Sequence, residues 1–175
     1  MKKIILTHGI LGGALISAIM AFSILKYNDV INFNENMIYG FSFMLIAFIL
    51  PFISIWKFRK VDGPSYQFKR AFVVGLGVSF VASVMYVLTW EVVFNVYIPN
   101  FMEKYSEFCL KQLTESGATA DVIAAKQSEM AHQTVMYVKA WYRMGLTYME
   151  IFPIGLIASS IAALTIRKKN NVPIS

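Results

Sequence analysis

Charge is scarce in this sequence: only 15% of its residues are Asp, Glu, Lys or Arg, where soluble domains carry about 25%. Hydrophobic residues make up 57%, so an ordinary water-soluble domain is excluded and the lipid bilayer is the expected solvent. Cysteine is almost missing, and Cys109 alone rules out an internal disulfide. Histidine is limited to His8 and His132, so no Cys/His set with zinc spacing exists. Phosphate-cradling glycine loops, nucleophile elbows and zincin motifs are also missing, and neither a metal nor a cofactor is expected. Acid is rarer than base, 10 residues against 16 for a net charge of +6. The positive charges flank apolar runs rather than lining one polar face, which argues against nucleic acid as a partner and for a signal of membrane orientation.

Four apolar runs divide the chain. Residues 4–25 carry no charged side chain, and this run is longer than a usual signal-peptide core, without a small-x-small cleavage site before a polar start. It reads as a membrane helix. Residues 37–56 form a second run, with Pro51 in its last turns and Trp56 at its boundary. The third covers 71–98 and the fourth 144–166. Between the third and fourth lies the one sizeable polar piece, 99–143. Its apolar side recurs at helical spacing, first at Phe101, Tyr105, Phe108, either Cys109 or Gln112, and Leu113, then at Ile123, Met130, Tyr137 and Trp141. Ser116-Gly117 ends the first helix and Thr119 caps the second. The fold class is therefore all-α: a four-helix membrane bundle with an antiparallel helical hairpin inserted between membrane helices three and four.

Short loops rich in Lys and Arg stay in the cytoplasm. The connector between runs two and three holds Lys57, Arg59, Lys60, Lys69 and Arg70 against Asp62 alone. With Lys2, Lys3, Arg167, Lys168 and Lys169 it assigns ten of the sixteen cations to one side. The other six share the opposite side with nine acids. Both termini are expected in the cytoplasm and the hairpin outside, in a bacterial inner membrane.

Helix association in lipid depends on close approach through small residues. Such residues recur every four positions at Gly9, Gly13, Ser17 and Ala21, at Ala71, Gly75, Ser79 and Ser83, and at Gly155, Ser159 and Ala163. Helices one, three and four are therefore expected to pack closely, and the Phe- and Ile-rich second helix to show more surface to lipid.

Gln67-Phe68-Lys69-Arg70-Ala71-Phe72 after the basic loop, Tyr86-x-x-x-Trp90, the hairpin with Ser116-Gly117-Ala118, and Glu150-Ile151-Phe152-Pro153-Ile154-Gly155 together resemble the bacterial membrane-protein family called domain of unknown function 4199. The resemblance spans nearly the whole chain. It implies a membrane location and an architecture, but no activity, cofactor or catalytic residue.

Few residues invite chemistry. Glu129 and His132 have the Glu-x-x-His spacing of di-iron bundles, but a di-iron site needs two such pairs, so a solvated helix face is the simpler reading. His8 reads as a helix-packing hydrogen bonder and Cys109 as a small buried hydrophobe. Tyr97, Trp141, Tyr142 and Tyr148 gather at the expected outer interface as anchors. Glu91 and Glu150 stand out, because an ionisable group near membrane depth is a functional hypothesis by default. They are expected at similar depth, facing the bundle interior, with Pro153 freeing the Met149 carbonyl beside Glu150.

Three functions compete. The preferred one is a non-enzymatic membrane component that binds another membrane protein, or a second copy of itself, through the outer hairpin. The second is a small transporter or proton- or cation-coupled carrier using Glu91 and Glu150. The third is a membrane enzyme acting on lipid, for which carboxylates are present without a nucleophile or metal set.

Overall fold

A computed structural model describes residues 1–26, 49–62 and 67–166. All regular structure among these residues is helical: α1 (Lys2–Lys26), α2 (49–62), α3 (Phe68–Val96), α4 (Phe101–Glu115), α5 (Ala120–Tyr137) and α6 (Ala140–Thr165). Three of them, α1, α3 and α6, are long and apolar enough to cross a membrane. The expected turn at 27–36, most of the second run, and Arg167, Lys168 and Lys169 lie outside the described residues.

Helix α3 is the centre of the bundle, and it uses two faces. On one face it receives α1, where the row of small residues allows the backbones to approach. A Cβ on Gly9 would stand 2.6 Å from Val81 Cβ, and one on Gly13 would stand 2.9 Å from Met85 Cβ. One turn further along, Thr89 Oγ1 donates to Ser17 Oγ at 2.9 Å. On its other face α3 receives α6: a Cβ on Gly155 would lie 2.5 Å from Ser79 Cβ, and one on Gly75 would lie 3.0 Å from Ser159 Cβ. The serine hydroxyls here bond back to Gly75 and Gly155 carbonyls in their own helices, so two helices meet without leaving a buried hydroxyl unsatisfied. The three small-residue rows thus act through α3, with α1 and α6 on its two faces rather than chiefly against each other.

The described part of the second run has one buried face and one exposed face. Ser54, Ile55 and Phe58 are fully buried, and Ile55 and Phe58 share a cluster with Ala71, Val74, Ala162 and Ala163. Its other face, Ile49, Ile53 and Trp56, is exposed. The helix also continues through Lys57–Asp62, where the basic stretch reads as a loop from sequence. Lys60 Nζ sits 3.4 Å from the Trp56 ring centre, and Arg70 Nη2 reaches Asp62 Oδ1 at 2.8 Å. The same end of the bundle holds Ile4, Ile5 and Ile166 against the Phe58 cluster, so the start of α1, the α2–α3 connection and the end of α6 lie together.

At the opposite end the chain leaves α3 and builds α4 and α5, which pack against each other. Gly117 takes a positive φ of 75° after α4, the left-handed turn that glycine accepts without a Cβ clash. Thr119 occupies the N-cap position of α5 with no side-chain capping bond, so its hydroxyl does not perform the expected capping. A break at Val138 and Lys139 separates α5 from α6. Tyr137 and Trp141 therefore do not continue one helical stripe: the first is buried, the second 68% exposed.

Candidate functional site

Glu91 lies in the last turns of α3 and Arg143 in the first turn of α6. Arg143 Nε donates to Glu91 Oε1 at 2.8 Å and Nη2 to Oε2 at 2.6 Å, the two-pronged geometry that a guanidinium offers and an ammonium does not. The pair is enclosed, with side-chain exposure of 3% for Arg143 and 17% for Glu91. Arg143 Nη1 also donates to the Tyr137 carbonyl at 2.9 Å, so a cation satisfies a carbonyl at the C-terminal end of α5. Its guanidinium lies 4.0 Å from the Phe94 ring centre, within cation–π range. One side chain thereby ties together α3, the end of α5 and the start of α6.

Beside this clamp the hairpin sits against the bundle through aromatic contacts. Trp90 Nε1 donates to Tyr137 Oη at 2.8 Å, Trp90 meets Phe101 edge-on at 5.1 Å, and Phe94 meets Tyr137 edge-on at 5.5 Å. Met102 and Tyr137 are buried with Phe94. Burial pushes the Tyr137 phenol well above its usual range; the Trp90 hydrogen bond pulls it the other way, and the charge of Glu150 adds to the rise.

Below the hairpin these contacts leave a cavity of about 470 Å³. Helix α3 supplies Tyr86 and Trp90; α4 supplies Phe101, Met102 and Tyr105; α5 supplies Gln133 and Tyr137; α6 supplies Tyr142, Leu146, Thr147 and Glu150. Glu150 is the single carboxyl on the wall, and no Lys, Arg or His stands there among the described residues. Its carboxylate makes no ion pair and no hydrogen bond with the described residues. Because Tyr137 Oη accepts from Trp90, its own hydrogen remains available to the cavity.

Glu91 and Glu150 are thus held in different settings, the first bound to Arg143 and the second on the cavity wall. Pro153 lies inside α6, which continues to Thr165, and it is not on that wall. His8 Nδ1 lies 2.9 Å from the Ile4 carbonyl within α1. Glu129 is held by Lys126 at 3.0 Å and by Gln133 at 2.9 Å. No group of three metal-ligating side chains occurs among the described residues.

Arg143 is the functional residue that sequence reasoning assigns to the end of a polar hairpin and leaves unpartnered. A signal was present: it is the sole arginine among the six cations on the expected outer side, and arginine is the residue suited to a buried carboxylate.

No curated protein and no solved structure matches the chain. A family model does, over residues 7–168. The chain, with its three apolar helices, its hairpin and its clamp, belongs to the family described as protein of unknown function (DUF4199).

Proposed function

We propose that this is a non-enzymatic, four-helix protein of the bacterial inner membrane that binds a small ligand between its membrane bundle and an extracytoplasmic antiparallel hairpin. The carrying observation is the cavity of about 470 Å³ with one carboxylate that has no partner among the described residues, a size within the ~300–1,000 Å³ of ligand sites. Of the two expected acids, Glu150 belongs to that site and Glu91 to the clamp that positions it. The topology rests on charge. Lys2, Lys3, Lys57, Arg59, Lys60, Lys69 and Arg70 all belong to the end where α1 begins and α2 meets α3, which favours that end in the cytoplasm. About 20 helical residues cross ~30 Å of hydrocarbon. Counted from Ala71, the first residue after Lys69 and Arg70, that distance ends at Glu91, which favours a cavity at the outer headgroup level.

Native mass spectrometry of the full chain from mild detergent tests the reading. Wild-type protein is expected to retain a small molecule or lipid that the cavity-filling Gln133→Trp variant loses. Equal retention by both, or retention by neither, refutes it.

A second reading keeps the hairpin as a surface for another membrane protein or a second copy. It is favoured by Val122 and Val135, exposed by 49% and 65% on α5, and predicts that Val135→Lys abolishes a cross-linked complex seen with wild type.

A further inference from the structure

The walls of the cavity select by charge as well as by size. Trp90, Phe101, Tyr105 and Tyr137 come from three helices and are locked by mutual contact: Trp90 meets Phe101 at 5.1 Å, Phe101 stacks on Tyr105 at 6.1 Å, and Trp90 bonds Tyr137. Aromatic rings carry a negative quadrupole face, which attracts a cation placed over it, and a positive edge. Glu150 adds one formal negative charge, and among the described residues no cationic side chain on the wall cancels it. The nearby cation is already spent, since both prongs of Arg143 are on Glu91. An anion would meet the charge of Glu150 with no basic side chain on the described wall to offset it. A bare metal ion would find one carboxylate among the wall's ionisable groups and too few oxygen ligands to replace its water. A substituted ammonium fits both features, because its alkyl groups shed water easily and lie against ring faces while its charge faces the carboxylate.

Resting on the ligand-binding reading above, we propose that the cavity between the hairpin and the bundle is a binding site for a substituted ammonium group, with Glu150 as counter-ion and Trp90, Phe101 and Tyr105 as the aromatic wall. The group is either that of a free amine in the outer compartment or the headgroup of an amino-lipid in the outer leaflet. The clamp between Glu91 and Arg143 sets this preference, because it keeps the guanidinium away from Glu150 and leaves the acid unneutralised until the ligand arrives.

The test uses the full chain in nanodiscs of phosphatidylglycerol built on a tryptophan-free belt protein, with Trp56→Phe and Trp141→Phe so that Trp90 is the only indole. Both replaced tryptophans are more than half exposed, and the third stands on the cavity wall. Choline is expected to change Trp90 emission saturably, while its neutral isostere 3,3-dimethylbutan-1-ol binds at least tenfold more weakly. Glu150→Gln, which keeps the shape of the wall, is expected to weaken choline at least tenfold and to leave the neutral isostere within twofold. Phe101→Leu is expected to weaken choline by several-fold. Nanodiscs containing phosphatidylethanolamine separate the two sources: competition with choline assigns the lipid headgroup, and undiminished choline binding assigns a free amine. Equal binding of choline and its isostere overturns the ammonium assignment while leaving a ligand cavity. Failure of acrylamide to quench Trp90 overturns the cavity itself. Choline binding unchanged in Glu150→Gln removes the counter-ion and with it the proposal.

Discussion

Replacing Glu91 by Gln keeps the side-chain volume and removes one charge from the clamp. The guanidinium of Arg143, only 3% exposed, then faces an amide. It retains the Tyr137 carbonyl and the Phe94 ring. Removing one partner of a buried pair costs about 3–5 kcal/mol, because the other is left as an uncompensated charge. Those two remaining contacts, together worth ~1–2 kcal/mol, and the partial access of water to position 91 place the expected loss near ~3 kcal/mol. Arg143→Met strands Glu91 instead and frees the C-terminal carbonyl of α5, for a similar loss. The double variant has no stranded charge, so it is expected to lose about 3 kcal/mol rather than the sum, a coupling of ~3 kcal/mol. Thermal unfolding of the full chain in mild detergent reads this as a drop of roughly 6–12 °C in each single variant, at ~2–4 °C per kcal/mol for a chain of this size. Hydrogen exchange should rise first at the end of α5. Single variants within ~1 kcal/mol of wild type, or a double variant with additive loss, would refute the clamp.

Gly155→Ala should destabilise by about 1–3 kcal/mol through overpacking against Ser79, since the new Cβ would stand 2.5 Å from that residue's Cβ. Gly145→Ala, with nothing within 4 Å, should instead be neutral or stabilise by up to ~1 kcal/mol through helix propensity, and thermal melts of both compare them directly. In a Cys109→Ser background, an impermeant thiol reagent added outside intact cells should label Ser116→Cys and miss Val61→Cys; the reverse pattern rejects the topology. The raised Tyr137 phenol predicts a stability that is full below the unfolded value of about 10 and declines as pH rises above it, because the unfolded chain releases its proton first. Tyr137→Phe should flatten that alkaline decline in urea melts. Trp90→Phe should cost about 1 kcal/mol in the same melts through loss of the bond to Tyr137, and no change there would mean that the contact is not formed in solution.

The long apolar helices were legible because lipid, as an expected solvent, imposes a strong, one-dimensional constraint. A run of uncharged residues about 20 long has few other uses, and α1, α3 and α6 follow 4–25, 71–98 and 144–166 to within a few residues. Among the small residues at every fourth position, Gly75 and Gly155 stand where α3 and α6 approach so closely that an added Cβ would meet Ser159 and Ser79. Helix ends were less legible. Lys57–Asp62 looks like a loop because charge is read as a stop, yet a helix can carry its charges into water while Trp56 and Lys60 pair along its side. The break at Val138–Lys139 has no glycine or proline to announce it. It depends on Arg143, which holds the Tyr137 carbonyl from the next helix, and a tertiary cap of that kind leaves no local pattern.

The site shows the same division between composition and pairing. Two acids near the ends of membrane helices are visible by counting, but their roles depend on which of them meets a cation, and the partner is 52 residues away in the chain. Arginine decides the matter. Its planar fork holds Glu91 with two hydrogen bonds while a third donor group reaches Tyr137 and its face lies on Phe94, so the whole guanidinium is consumed in one place. A lysine at 143 would carry the same charge without that geometry, and as a flexible point charge it would be free to reach toward Glu150, two turns further along the same face of α6. The identity of residue 143 as Arg therefore does more than stabilise the junction of α3, α5 and α6. By immobilising the cation it leaves Glu150 without a basic partner among the described residues of the aromatic wall, which is the condition that the proposed ammonium site requires.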